Sequence, residues 1–173
     1  MQLSWDGART TTAVAWGSGR DWLLDRAEQW VGLRDSLDGF DPSLHANVAS
    51  LWRRHPGIRL AASGVIWQEL LLVLLGQRVT AEEGVRSWAR IVNSWGEVAP
   101  GPCELMLPPT PEMVASKSYV DLHRVNVDRR RADAILLAGR RANRLEEAAA
   151  MNVADALSRL TALPGLGVWT ATS

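Results

Sequence analysis

Hydrophobic positions recur at two different periods along this chain. Near the N-terminus they alternate with polar ones: QLSW, the turn dipeptide Asp6-Gly7, then ARTTTAVAW, rich in Thr and Val. Alternation sends successive side chains to opposite faces, so a β-hairpin is predicted. Two strands alone are marginal in water, and the hairpin is expected to belong to a larger sheet that is absent or paired elsewhere. From Asp21 the period becomes helical, DWLLDRAEQWVGL placing Leu23, Leu24, Ala27, Trp30 and Val31 on one stripe. Phe40-Asp41-Pro42 ends that run, and SLHANVASLWRRH opens the next helix with Ser43 as its expected N-cap.

The most apolar helix is predicted from Ser63 to about Gln77, at the buried centre of the domain. Thr80 is expected to cap a second helix, TAEEGVRSWARIVNSWG, whose first turn carries the acidic residues that the helix dipole favours. The proline-rich stretch VAPGPCELMLPPTPE reads as a loop that ends in a helix start at Pro111. DLHRVNVDRRRADAILLAGRRANRLEEAAA is strongly helical after Asn126, and Asn152 caps a last short helix, NVADALSRL. Roughly seven helices follow one hairpin, without an internal repeat, so the expected class is mainly α.

Composition narrows the function classes. Over 173 residues, 47% hydrophobic and 22% charged describe an ordinary globular chain with room for a real core. Nineteen basic residues balance nineteen acidic ones, so attraction to phosphate has to come from local patches. Cys103 is the one cysteine, which excludes an internal disulfide and an iron-sulfur cluster built from these residues, and fits a reducing cytoplasmic compartment. The run VIWQELLLVLLG is interrupted by Gln68 and Glu69 and is too short for a bilayer. With no basic and apolar N-terminal leader either, no membrane association is expected. His45, His55 and His123 lack metal spacing. Of nine tryptophans, most are expected in helix packing.

The closing segment, LTALPGLGVWTATS, carries the most specific chemistry. Pro164 fixes φ, Gly165 and Gly167 admit backbone shapes closed to other residues, and leucines at 160, 163 and 166 can pin two helices together. Such a hairpin exposes the unpaired amides of its second helix, which suit a phosphate. The same residues would equally serve as a plain connector between packed helices. A second patch runs from Lys117 to Arg144, with Lys117, Arg124, Arg129, Arg130, Arg131, Arg140, Arg141 and Arg144 against Asp121, Asp128 and Asp133. Eight minus three leaves plus five, either a solvated helix face or a non-specific phosphate contact.

LPGLGVWTA resembles the hairpin of the helix-hairpin-helix DNA glycosylases. LLGQRVTAEEGVRSWARIV and VNVDRRRADAILLAG are similar to two upstream segments of that superfamily, in the same order. Together, from about Asp21 to Ser173, they resemble the 3-methyladenine DNA glycosylase II branch. The resemblance implies an incomplete helical glycosylase bundle over residues 20–173 and a remnant of an N-terminal β-domain over residues 1–19. It implies DNA contacts from Leu163, Pro164, Gly165, Leu166, Gly167, Val168 and Thr170, and a monovalent cation on the carbonyls of Thr161, Leu163 and Leu166, with no other cofactor. Gln77 and Arg78 match the loop that fills the gap left by a flipped base. Asn126 stands where the superfamily usually has glycine, and asparagine enters the left-handed region more readily than most residues. Trp169 occupies the position at which strand-cleaving relatives carry a Schiff-base lysine. The implied enzyme is therefore a monofunctional N-glycosylase, with Trp169 offering a π-face to a flipped alkylated base.

In that family an aspartate beyond the second hairpin helix stabilises an oxocarbenium-like sugar while water attacks. No residue here matches its place, so no catalytic residue is expected in this chain, and a truncated glycosylase that at most binds DNA is the expectation. The expected partner is duplex DNA with alkylated bases, and the chain is expected to be a monomer at the nucleoid. A non-catalytic helix-hairpin-helix DNA-binding module and a helical protein-interaction scaffold are the alternatives.

Overall fold

The computed structural model describes residues 1–7 and 10–173; Ala8 and Arg9, within the expected hairpin, lie outside the described residues. The chain divides into two units, Met1–Gly64 and Val65–Ser173. As the spacing predicts, helices dominate, with two small antiparallel ladders among the described residues.

In the first unit β1 (Gln2–Trp5) pairs antiparallel with β2 (Thr11–Val14), Gln2 opposite Val14 and Trp5 opposite Thr11. The strands are not joined by a two-residue turn at Asp6-Gly7. Instead Asp6 N–H donates to Thr10 O at 3.2 Å, and the Asp6 carboxylate accepts from Thr10 N–H at 3.1 Å. The single helix expected from Asp21 is two, α1 (Arg20–Leu24) and α2 (Ala27–Trp30). Arg26 sits at the break. Its guanidinium lies 4.1 Å from the Trp22 ring centre and donates to Trp22 O at 3.3 Å, and its own amide donates to Leu23 O. The stripe is thereby split, and Leu24 is exposed.

Ser43 is not the cap of α3 (Ala46–Arg54). Asp41 accepts from Ser43 N–H to start a 3-10 turn, Pro42–Leu44, and His45 accepts from Asn47 N–H at 3.3 Å to start α3. Among the described residues of this unit Gly32 alone is buried. Leu33, Leu44, Ile58 and Leu60 all stand mostly exposed.

The second unit holds the apolar core. α4 (Ile66–Gly76) buries Trp67, Leu70, Leu71, Leu74 and Leu75, as its apolar run predicts. α5 (Ala81–Trp95) starts at the expected Thr80, whose hydroxyl accepts from Glu83 N–H at 3.2 Å. The proline-rich loop contains an unforeseen two-residue ladder, β3 (Glu97–Val98) with β4 (Met106–Leu107), before α6 (Pro111–Ala115) begins at the expected proline. The long helical run beyond it is divided into α7 (Tyr119–Arg124), α8 (Arg129–Arg140), α9 (Ala142–Glu146) and a 3-10 turn, Glu147–Ala150. Asn126, at φ +70°, sits in the bend between α7 and α8. α10 (Val153–Thr161) is capped by Asn152 as expected, and α11 (Val168–Thr172) closes the chain. α8 lies against α4, α6 and α7, burying Ala132, Ile135, Leu136 and Ala138. No helix among the described residues is long and apolar enough to cross a membrane.

Val65, at the N-cap of α4, makes no side-chain capping bond. The first amides of this helix, on Ile66 and Trp67, donate to the Glu146 carboxylate at 3.0 and 2.7 Å. Hydrogen bonds to a charged group contribute about 1.5–3 kcal/mol each when a buried partner would otherwise be stranded. Glu146 is half-buried, so Glu146→Ala is expected to lower the stability of this unit by about 2 kcal/mol. Denaturant unfolding checks it, with Glu146→Gln, which keeps one acceptor oxygen, falling between the two.

Candidate nucleic-acid interface

The hairpin formed by α10 and α11 is built around Gly165. Its φ of +93° is one that L side chains rarely adopt, and a Cβ there would lie 2.8 Å from the Ala134 Cβ on α8. Glycine thus lets the turn sit directly on α8. Leu166, 3% exposed, is buried beneath the turn, and its amide donates to Leu163 O at 3.0 Å. Gly167 differs: its φ is −82° and a Cβ would meet nothing within 4 Å. Neither backbone shape nor packing requires glycine at 167.

The first turn of α11 leaves donors without helical partners. Ala171 N–H reaches back to Gly167 O at 3.1 Å, which makes it the first amide of this helix with a helical partner. The amides of Val168, Trp169 and Thr170 precede it. Five residues make only a weak helix dipole, so attraction of an anion here relies on these amides and on nearby cations. Thr161 and Leu166 carry carbonyl oxygens that accept no backbone amide outside the helices among the described residues, whereas Leu163 O holds the Leu166 amide. Neutral carbonyls at the C-terminal end of α10 are chemically suited to a monovalent cation.

Gln77 and Arg78 occupy the bend between α4 and α5. The Gln77 amide donates to Gly165 O at 3.1 Å and to Thr170 Oγ at 2.7 Å, tying this bend to the hairpin. Thr170, 7% exposed, turns its hydroxyl inward to the Gln77 amide. Arg78, at φ +59°, is exposed and makes no side-chain bond among the described residues. Trp169 and Val168 stand 64% and 66% exposed beside it. Gln77, Arg78, Gly165, Gly167, Trp169 and Thr170 line one open cleft of about 270 Å³, together with Arg130. Leu163 and Pro164 lie on the other side of the tip, on a larger cleft. No carboxylate lines the Trp169 cleft.

The basic run from Lys117 to Arg144 is not one patch. Arg131 is 4% exposed: its guanidinium donates to Asp128 at 2.5 Å and Leu75 O at 2.7 Å and lies 3.9 Å from Glu83. Arg129 pairs with Asp133 at 3.1 Å and lies over the Tyr119 ring, and Arg124 pairs with Asp121 at 3.9 Å. Arg130, Arg140, Arg141 and Arg144 have no salt-bridge partner among the described residues. Arg130 is the member of the run that reaches the hairpin cleft. Helical geometry turns consecutive residues by about 100°, but the sequence alone does not say which of three adjacent arginines faces which way.

No family model and no curated protein matches the chain by sequence. Solved structures do match its fold. A 3-methyladenine DNA glycosylase from Archaeoglobus fulgidus superposes with a TM-score of 0.75 at 19% identity, over 94% of this chain and 57% of that one. The Schizosaccharomyces pombe 3-methyladenine DNA glycosylase in complex with abasic DNA gives 0.57 at 17% identity, over 75% of this chain and 63% of that one. MBOgg1 in complex with a low-affinity DNA ligand gives 0.70 at 14% identity, over 98% and 66%. The fold is thus that of the helical DNA glycosylases, and the chain spans 57 to 66% of the length of these structures.

Proposed function

We propose that this chain serves base-excision repair of alkylated DNA, gripping duplex DNA with the hairpin between α10 and α11 and receiving a flipped base against Trp169. The observation that carries this reading is the cleft itself. A tight turn on α8, the amides that start α11, two arginines without a salt-bridge partner among the described residues and a largely exposed tryptophan meet there, in a fold that alkylbase glycosylases share. Phosphate suits the amides and the guanidinium groups of Arg78 and Arg130. An electron-poor alkylated base suits the indole face. A monovalent cation on the Thr161, Leu163 and Leu166 carbonyls would bridge the turn and the phosphate.

Hydrolysis of the glycosidic bond needs a carboxylate beside the sugar, and Trp169 supplies no amine for strand cleavage. Asp155 accepts from the Asn152 amide at 2.7 Å and lies past the hairpin tip, on none of the walls around Trp169, and Asp133 is paired with Arg129. The chain is therefore expected to bind without excising.

Anisotropy titration against undamaged, abasic and alkylated duplexes tests this, with alkali treatment to reveal any abasic product. The expected result is salt-dependent binding, tighter on damaged duplex, and no alkali-labile sites. Trp169→Ala should lose about tenfold on damaged duplex, since base-aromatic stacking is worth about 1–3 kcal/mol, while affinity for undamaged duplex barely changes. Absence of DNA binding would overturn the proposal, and alkali-labile product would overturn its binding-only part.

A further inference from the structure

Three clefts meet around the tip of the hairpin, and shared walls make them one groove. Arg130 and Gly165 line both the Trp169 cleft and a neighbour of about 460 Å³. Leu137 and Pro164 line that neighbour and a third cleft of about 830 Å³, walled also by Leu163, Arg141, Arg144 and Arg159. The groove runs from Trp169 past the hairpin tip and on between α8–α9 and α10.

Its charge is uneven for a chain whose net charge is zero. The linings carry Arg78, Arg129, Arg130, Arg141, Arg144 and Arg159 against Asp133 and Asp155. Even with Glu147, the partner of Arg159, six cations face three carboxylates. Glu147 answers Arg159 first: the Arg159 hydrogen bond holds its carboxyl below the ordinary range, and Arg144 adds a smaller pull. Asp155 is held by Asn152. The exposed side chains of Arg141 and Arg144 make no internal hydrogen bond among the described residues.

Spacing favours an extended polyanion over a compact anion. Eleven helical positions separate Arg130 from Arg141, about 16 Å at 1.5 Å per residue. One strand of duplex DNA presents a phosphate about every 3.4 Å of axis, so the two ends of α8 reach different phosphates of one backbone. The Leu137 and Leu163 floor suits the apolar faces of the sugars between them.

We infer that Arg141 and Arg144 hold backbone phosphates of the bound strand on the side of the hairpin tip away from Trp169. The inference rests on the DNA-binding reading above and extends its footprint along the whole of α8.

The test compares the full chain with Arg141→Gln/Arg144→Gln, measuring duplex affinity against salt concentration. Two lost phosphate contacts should lower the slope of log K against log salt by about 1.8. A charge-matched double variant on α5, Arg86→Gln/Arg90→Gln, should keep the wild-type slope. An unchanged slope in the α9-side variant, or an equal fall in both, overturns the inference while wild-type binding and the Trp169→Ala effect still stand. Failure of wild-type protein to bind DNA overturns the inference together with the reading beneath it.

Discussion

Arg131→Met is expected to lower the stability of the Val65–Ser173 unit by about 3 kcal/mol in denaturant unfolding. Removing one member of a buried ion pair costs about 3–5 kcal/mol, because the remaining groups are left uncompensated. The lower end applies here. Asp128 and Glu83, with side chains 56% and 36% exposed, can regain water, while Leu75 O loses the guanidinium that donates to it at 2.7 Å. The acid limb of the stability profile gives an independent check. Burial works to raise the Asp128 carboxyl, but hydrogen bonds from the Arg131 side chain and backbone, with its charge, outweigh that and hold it below 3.8. A depressed carboxyl contributes stability that is present above its unfolded value and lost as pH falls through its folded one. The gap between wild type and variant should therefore be widest above pH 3.8 and narrow below it. A gap that does not change with pH would show that methionine acts through packing alone.

What was legible in the sequence was local. Thr80, Pro111 and Asn152 mark helix starts because a cap acts within three residues of itself, and the apolar run of α4 betrays its burial by composition. The hairpin was legible for the same reason, since proline and glycine constrain their own backbone. Long-range pairings left no such mark. Glu146 caps α4 from about eighty positions away, and Gln77 reaches Thr170 across a similar distance. Arg129, Arg130 and Arg131 look identical in the sequence, yet the helix fans them to Asp133, to the hairpin cleft and to the core. The broken helix at Arg26 belongs to the same class: the contacts of that arginine with the ring and carbonyl of Trp22 are visible only in the structure. The candidate site was thus legible as a turn, a tryptophan and, by resemblance, Gln77 and Arg78, while which arginine of the basic run joins them emerged only from packing.

Gly165→Ala is expected to weaken duplex binding by about thirtyfold. A left-handed backbone costs an alanine about 1–2 kcal/mol, and the new Cβ, 2.8 Å from the buried Ala134 Cβ, adds about 1–3 kcal/mol of overpacking. The lower bound of about 2 kcal/mol already corresponds to that factor. α11 is five residues long and joins the core chiefly through α10 and α4, so the hairpin should lift from α8 before the unit unfolds. Loss of DNA affinity should consequently exceed any loss of global stability, and hydrogen exchange should quicken at Leu166 and Ala171 while α4 and α8 stay protected. Gly167→Ala supplies the contrast that makes the result interpretable. With an ordinary φ and open space where its Cβ would go, it should leave stability and exchange unchanged. If a phosphate rests on the amides that follow, the added methyl meets the ligand and binding falls with no structural cost. Unaltered binding in that variant would mean that the turn only connects two helices, and that the anion site lies with the arginines of the groove.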